Sequence, residues 1–319
     1  MQALVLNQGL SYRTDVLKPE PKAHEALIRL SLAGICATDL ELVKGYAGFS
    51  GIIGHEFVGV VEAVAQTQDA HWLNRRVVGS INIGCHACDA CMNAGPEHCQ
   101  QRKVLGIRQH DGVFADYFTL PVANLLAVPD AMNDQTAVFA EPLAAALRVR
   151  EQCHTLSVNK LAVLGPGRLG LLIAKVLVLA GHSVDVLGRT EASLALPRQW
   201  QLNSGLIQAI DDVSYDCVVD ATGQASGFKQ ALRILKPRGS LILKSTFSAL
   251  EPIDLSKIVV NELNILGSRC GPFAEALALL NQQSIPLETM INASYPLQAG
   301  MAAFQHVATP GVRKILLYP

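Results

Sequence analysis

The 319-residue chain carries little charge and no excess of either sign: 17% of its residues are charged, and 26 Lys and Arg against 27 Asp and Glu leave a formal net charge of −1. The basic residues are scattered, so the electrostatic attraction on which nucleic-acid binding depends is missing, and no nucleic-acid partner is expected. Long apolar runs are missing too. The longest, Leu169 to Gly181, is interrupted by Lys175, and residues 1–22 show no basic start followed by an apolar stretch. Neither secretion nor a membrane partner is therefore expected. There is no internal repeat, low-complexity tract or obvious flexible linker.

What is present is an apolar half, 50% of the chain, which suffices for a sizeable core, and a length that suggests two domains of about 150 residues each. Eight cysteines in so short a chain would suit disulfides, yet four of them fall within residues 85–99 and the other four lie far apart. That distribution suits a metal and a reducing compartment, so a cytoplasmic protein is expected.

The texture changes along the chain. Over the first ~125 residues, short alternating runs such as Ala26–Leu32 and Phe57–Val64 are broken by Gly and Pro, as in an all-β domain. From about residue 160, apolar strands (Leu161–Leu164, Ser183–Leu187, Asp216–Asp220, Ser240–Lys244) alternate with helix-length stretches (Leu169–Leu179, Ser226–Leu235). That order predicts an α/β fold with a doubly wound parallel sheet. A helical segment, Pro272–Leu280, and a strand, Arg313–Tyr318, close the chain.

Three motifs carry chemistry. The strongest is Cys85, Cys88, Cys91 and Cys99, spaced C-x2-C-x2-C-x7-C. Four thiolates this close can surround one Zn²⁺ tetrahedrally with no position left for substrate, a structural role; an iron–sulfur cluster or buried free thiols are the alternatives. The second is a separated pair of segments, Gly34–Asp39 with Cys36 and Gly54–Gly59 with His55 and Glu56, each beside a strand-like run. Thiolate, imidazole and carboxylate are the donor types a catalytic zinc uses when it keeps one position open, although each segment alone is equally a piece of packing or surface. The third is Gly165-Pro166-Gly167-Arg168-Leu169-Gly170, a G-x-G-x-x-G between a strand and a helix. In that setting the glycines allow a tight turn and close approach to a pyrophosphate, which the helix N-terminus attracts.

In this order the three motifs resemble the zinc-containing medium-chain dehydrogenase/reductase superfamily of liver alcohol dehydrogenase, sorbitol dehydrogenase and threonine dehydrogenase. The resemblance covers essentially the whole chain. It implies a GroES-like β-barrel catalytic domain, residues 1–145 completed by 275–319, and a Rossmann cofactor-binding domain, residues 146–274, with the active site in the cleft between them. Two zinc ions per chain follow. Cys36, His55, Glu56 and Glu141 are the implied ligands of the catalytic ion, and Cys85, Cys88, Cys91 and Cys99 hold the structural one. Glu141 stands in Glu-Pro-Leu-Ala, a stretch similar to that of the sorbitol and threonine dehydrogenase branches.

The same resemblance makes Thr38 the hydroxyl that passes on the alcohol proton and Asp39 the carboxylate that orients His55, fixing its tautomer. Many relatives extend the relay with a histidine where this chain has Glu41. Arg313 matches an arginine that reaches the cofactor pyrophosphate. Thr222, with its neighbours Asp220 and Gly223, and the segment Lys244-Ser245-Thr246 fall at strand ends where open α/β sheets bind ligands. The implied activity is hydride transfer between a small alcohol or polyol and its carbonyl (CH–OH donors, EC 1.1.1.-), in a homodimer or homotetramer.

The cofactor is read from the end of the second Rossmann strand, where an NAD-type domain places an acid about 20 residues after the glycines. Here that position is Gly188, followed by Arg189 and Thr190. A guanidinium there suits a 2′-phosphate, so NADP(H) is favoured over NAD(H), with Asp185 inside the strand as the counter-argument. Two rival readings remain, a zinc-independent quinone-type reductase of the same superfamily and a non-catalytic cofactor-binding protein.

Overall fold

The computed structural model describes residues 1–156, 158–245 and 253–319. It divides into two compact units, Met1–Glu141 with Phe273–Pro319, and Pro142–Pro272. Among the described residues no helix is long and apolar enough to cross a membrane.

The first unit is built on a seven-stranded sheet. Its central strand, Glu25–Gly34, pairs antiparallel with Glu56–Val64, with Tyr117–Pro121 and, at its end, with Lys314–Tyr318. The register places Gly34 opposite Glu56 on one side and opposite Leu316 on the other. Three segments far apart in sequence thus meet at Gly34. The unit is not all β: Ala37–Val43, directly after the central strand, is a helix. Helical periodicity is invisible in seven residues, which is why the alternating texture of this domain gave no sign of the helix.

The second unit holds a six-stranded sheet in which every pair is parallel. The order is Ser204–Leu206, Val184–Gly188, Leu161–Leu164, Tyr215–Asp220, Leu235–Leu243, Asn264–Gly267. Leu161–Leu164 is buried at all four positions, as a strand covered on both faces must be. The helices Arg168–Leu179 and Ala225–Ile234 supply cover, and Ala231, Leu232 and Ile234 of the latter pack with Leu164, Val218 and Leu241. The strand order reverses between Leu161–Leu164 and Tyr215–Asp220, and the carboxyl ends of strands at such a reversal are where open α/β sheets bind ligands. The Leu235–Leu243 strand begins five residues earlier than its apolar run suggested, because the chain passes from helix into strand without a loop.

Candidate functional site

Cys36 is the N-cap of the helix Ala37–Val43, and its extended backbone turns the chain out of the central strand. Asp39, in the first turn, accepts a hydrogen bond from the Cys36 backbone N–H at 2.8 Å through Oδ2. This fixes the loop that presents the thiol. His55 and Glu56 open the neighbouring strand after Gly54, whose φ of +96° and contact with the Phe114 ring leave no room for a side chain.

The register at Gly34 then does the assembly. Cys36, His55 and Glu56 each bring a ligand atom within 4.8 Å of the others. His55 Nδ1 lies 3.3 Å from Asp39 Oδ1, with both side chains essentially buried, which leaves the other ring nitrogen for the donor cluster. Thr38 Oγ1 is 3.8 Å from the Cys36 sulfur. Burial opposes a charge on His55, but Asp39 and Cys36 outweigh it and hold the imidazole well above its ordinary 6.5. Glu141, in the first turn of the helix Ala140–His154, is not among the three clustered ligands.

One neighbour was not anticipated. Lys314, the first residue of the strand Lys314–Tyr318, is 2% exposed and forms an ion pair with Glu56, itself 1% exposed. Its Nζ also lies 5.3 Å from the centre of the Phe139 ring. In the sequence it is the second of two adjacent bases, Arg313 and Lys314, on the closing strand. The available signal was that the rest of the run, Ile-Leu-Leu, is apolar.

The four-cysteine loop is compact. Cys85 and Cys91 sulfurs are 4.0 Å apart and those of Cys88 and Cys99 3.9 Å, close to the roughly 3.8 Å edge of a ZnS₄ tetrahedron with bonds of about 2.3 Å. Backbone N–H groups of Ala87 and Cys88 pull the Cys85 thiol down to about 6, while desolvation pushes Cys91 up to about 11. All eight cysteines are free thiols.

In the second unit the glycine turn links Leu161–Leu164 to the helix Arg168–Leu179. Gly165 has φ +91° and sits so close to the backbone of Ala221 and Thr222 that a Cβ would approach them at 2.9 Å. A Cβ on Gly170 would strike the Gly165 carbonyl. Gly167, the N-cap, faces open space, and Arg168 and Leu169 begin the helix. Two glycines thus close the turn and the third leaves backbone approachable, as a phosphate requires. Asp220, fully buried at the end of its strand, accepts from Thr222 N at 2.9 Å, Thr222 Oγ1 at 2.7 Å and Ser245 Oγ at 3.1 Å. Thr246 lies outside the described residues.

Gly188 ends its strand against Ser193, Leu194 and Pro166, Arg189 is exposed, and the Thr190 side chain caps the turn at Ser193. Asp185 is occupied: Tyr215 donates to its Oδ2 at 2.7 Å and Asn203 to its Oδ1. Arg313 belongs to the first unit, where its backbone N–H donates to Asn292 Oδ1 at 2.6 Å.

Two family models match the chain: Alcohol dehydrogenase GroES-like domain over residues 22–130 and Zinc-binding dehydrogenase over residues 169–282. Sorbitol dehydrogenase of Halalkalibacterium halodurans is 27% identical over 100% of this chain and 99% of its own. Among solved structures, the Escherichia coli CFT073 short chain alcohol dehydrogenase (rspB), complexed with NADH, superposes with a TM-score of 0.89 at 26% identity, covering 100% of this chain and 99% of that one. A putative zinc-binding dehydrogenase from Sinorhizobium meliloti 1021, bound to NADP, gives 0.87 at 26% identity with the same coverage.

Proposed function

We propose that this member of the zinc-containing medium-chain dehydrogenase/reductase superfamily, an oxidoreductase of the alcohol and polyol type with GroES-like and Rossmann domains, is a zinc-dependent dehydrogenase of a small alcohol or polyol that prefers NADP(H). The observation that carries the zinc reading is the buried cluster of Cys36, His55 and Glu56 backed by Asp39. A rival zinc-independent reductase has no use for that donor set, nor for the tetrathiol loop.

In this reading Cys36, His55 and Glu56 hold the catalytic ion, with Glu141 as a further ligand, and Cys85, Cys88, Cys91 and Cys99 hold the structural one. When bound, the metal would supply a Lewis acid for an alcohol oxygen and the nicotinamide cofactor a hydride acceptor. The chain's own groups do the rest. Asp39 orients His55 and fixes its tautomer, which raises the basicity of the other nitrogen. Thr38, beside the Cys36 sulfur, takes the alcohol proton and passes it outward; Glu41 stands where the relay would continue, and its carboxylate is already paired with Lys44 at 2.8 Å. The amide edge at Gly167, Arg168 and Leu169 would hold the pyrophosphate, with Thr222 on the nicotinamide side.

NADP(H) preference is supported by three features together. Gly188 supplies no acid for a ribose hydroxyl, Arg189 is exposed beside it, and Asp185 is tied to Tyr215 and Asn203. A reducing, cytoplasmic setting suits a chain whose four clustered thiols must stay reduced to bind zinc. Assembly as a homodimer or homotetramer is supported by the edge strand Asn264–Gly267, which ends its sheet, and by the preceding helix Leu255–Val260, whose Leu255, Val259 and Val260 side chains are exposed.

The deciding measurement is zinc per chain in wild type and Cys36→Ser, with fluorescence titrations of NADPH and NADH. Two zinc ions falling to one, with tighter NADPH binding, is the expected result. One zinc in wild type, unchanged by Cys36→Ser, overturns the catalytic metal.

A further inference from the structure

Lysine is almost never fully buried unless it is paired, since taking the ammonium out of water is costly and must be offset by a close counter-charge. Lys314 is buried, and among its contacts it has one carboxylate, Glu56. Glu56 in turn is one of the three donors of the cluster. We propose that Lys314 is a positioning residue that competes with the metal for the Glu56 carboxylate, an inference that rests on the zinc reading above.

The placement of the ammonium is built into the fold. The strand Lys314–Tyr318 is held on both sides, parallel to Ile291–Pro296 and antiparallel to the end of Glu25–Gly34. Asn292 Oδ1 further accepts from the backbone N–H groups of Arg313, at 2.6 Å, and Lys314, at 3.2 Å. Lys314 therefore cannot withdraw without opening the sheet. Gly34 provides the room: a Cβ there would run into the Glu56 carboxylate and come within 3.3 Å of Lys314 Nζ. A residue with any side chain would separate the pair.

The charge count explains what the pair does. Two carboxylates, Asp39 and Glu56, are buried beside a thiol and an imidazole, and Lys314 is the cation in contact with Glu56. Without Lys314, Glu56 would be a buried anion with the metal as its counter-charge, and would be drawn fully onto the ion. With Lys314, its charge is shared. Glu56 stays at the margin of the donor set, and the open position that a catalytic zinc keeps for substrate is preserved. The cost is a weaker grip on the metal.

The test is zinc affinity of the full-length protein by competition with a chelator, paired with the visible absorption of the Co²⁺-loaded form, both insensitive to turnover. Cys36→Ser identifies which binding event belongs to this site. Lys314→Met is expected to tighten zinc by about tenfold, the scale on which groups behind the ligands tune metal affinity, and to shift the cobalt spectrum as the carboxylate joins the ion. Lys314→Arg, whose planar fork grips a carboxylate with two hydrogen bonds, is expected to weaken zinc instead. In a Glu56→Gln background, adding Lys314→Met should change affinity little. Unchanged or weaker binding with a wild-type cobalt spectrum in Lys314→Met overturns the proposal, as does the same tightening in the Glu56→Gln background. Should Lys314→Met fail to fold, Lys314→Arg decides, because unchanged or tighter binding there contradicts competition. A wild type with no metal sensitive to Cys36→Ser overturns the zinc reading itself, and is distinguishable from all of these.

Discussion

The four-cysteine loop and the Cys36 cluster offer donors to a metal in opposite ways. The loop takes all its donors from fifteen consecutive residues, carries no buried acid or base beside them, and sits on 3₁₀ and short helical turns with Cys85 exposed. The Cys36 cluster draws on three strands whose sequence positions span nearly the whole chain, and surrounds one thiol with an imidazole, two carboxylates and a lysine, nearly all buried. Four thiolates satisfy a metal completely, which makes a strut. Mixed donors, one of them a carboxylate whose charge is shared with a lysine, would leave a metal a position where an oxygen can enter.

The comparison breaks if removing either metal does the same thing. Cys36→Ala is expected to lower kcat/KM by about a thousandfold, since a Lewis acid contributes several kcal/mol to the transition state, while thermal stability stays near wild type. Cys99→Ala removes the buried member of the other cluster and is expected to cost about 4 kcal/mol, as loss of a structural metal does, with activity per folded molecule kept within a few-fold. Melting curves and kinetics on the two variants check the dissociation. Equal loss of stability in both would make the Cys36 site another strut.

Gly34→Ala sharpens it further. The new methyl would meet the Glu56 carboxylate and the Lys314 ammonium, and wedging an atom into a filled site costs about 2 kcal/mol. Stability and the affinity of the Cys36 metal should both change, while the tetrathiol zinc, in a separate loop, should be retained. Metal analysis after mild chelation reads the two sites apart.

This contrast also explains how much was legible in the sequence. The tetrathiol loop and the Gly165–Gly170 turn could be read because their geometry is local: ligand spacing and a strand–glycine–helix order carry the whole pattern. The alternating and parallel-sheet textures of the two units were legible for the same reason, as period-two runs and apolar strands separated by helix-length stretches. Cys36, His55 and Glu56 could be named as donor types, but their convergence depends on Gly34 facing Glu56 across two strands, a register that the twenty-one intervening residues do not encode locally. Lys314 was hidden for the same reason, since its burial is decided by the strand beside it. Asp39 could be named as the carboxylate that orients His55 only through the resemblance, because its full burial beside His55 is likewise set by the neighbouring strand.

The smallest effect is expected at the cofactor turn, and it tests whether a local site can carry specificity. Arg189 is exposed just beyond Gly188, and the only acid on that strand, Asp185, already accepts hydrogen bonds from Tyr215 and Asn203. If the guanidinium binds the 2′-phosphate, Arg189→Ala loses a charge-assisted hydrogen bond, and NADPH affinity should fall by about tenfold, roughly 1.4 kcal/mol. NADH affinity should not move, because its ribose hydroxyl offers the arginine no charge. Raising the salt concentration should erode the wild-type preference and leave that of Arg189→Ala unchanged, since only an exposed charge pair is screened. Equal losses for both cofactors would instead place Arg189 on the shared pyrophosphate or in the local fold, and the preference would have to lie with groups other than this turn.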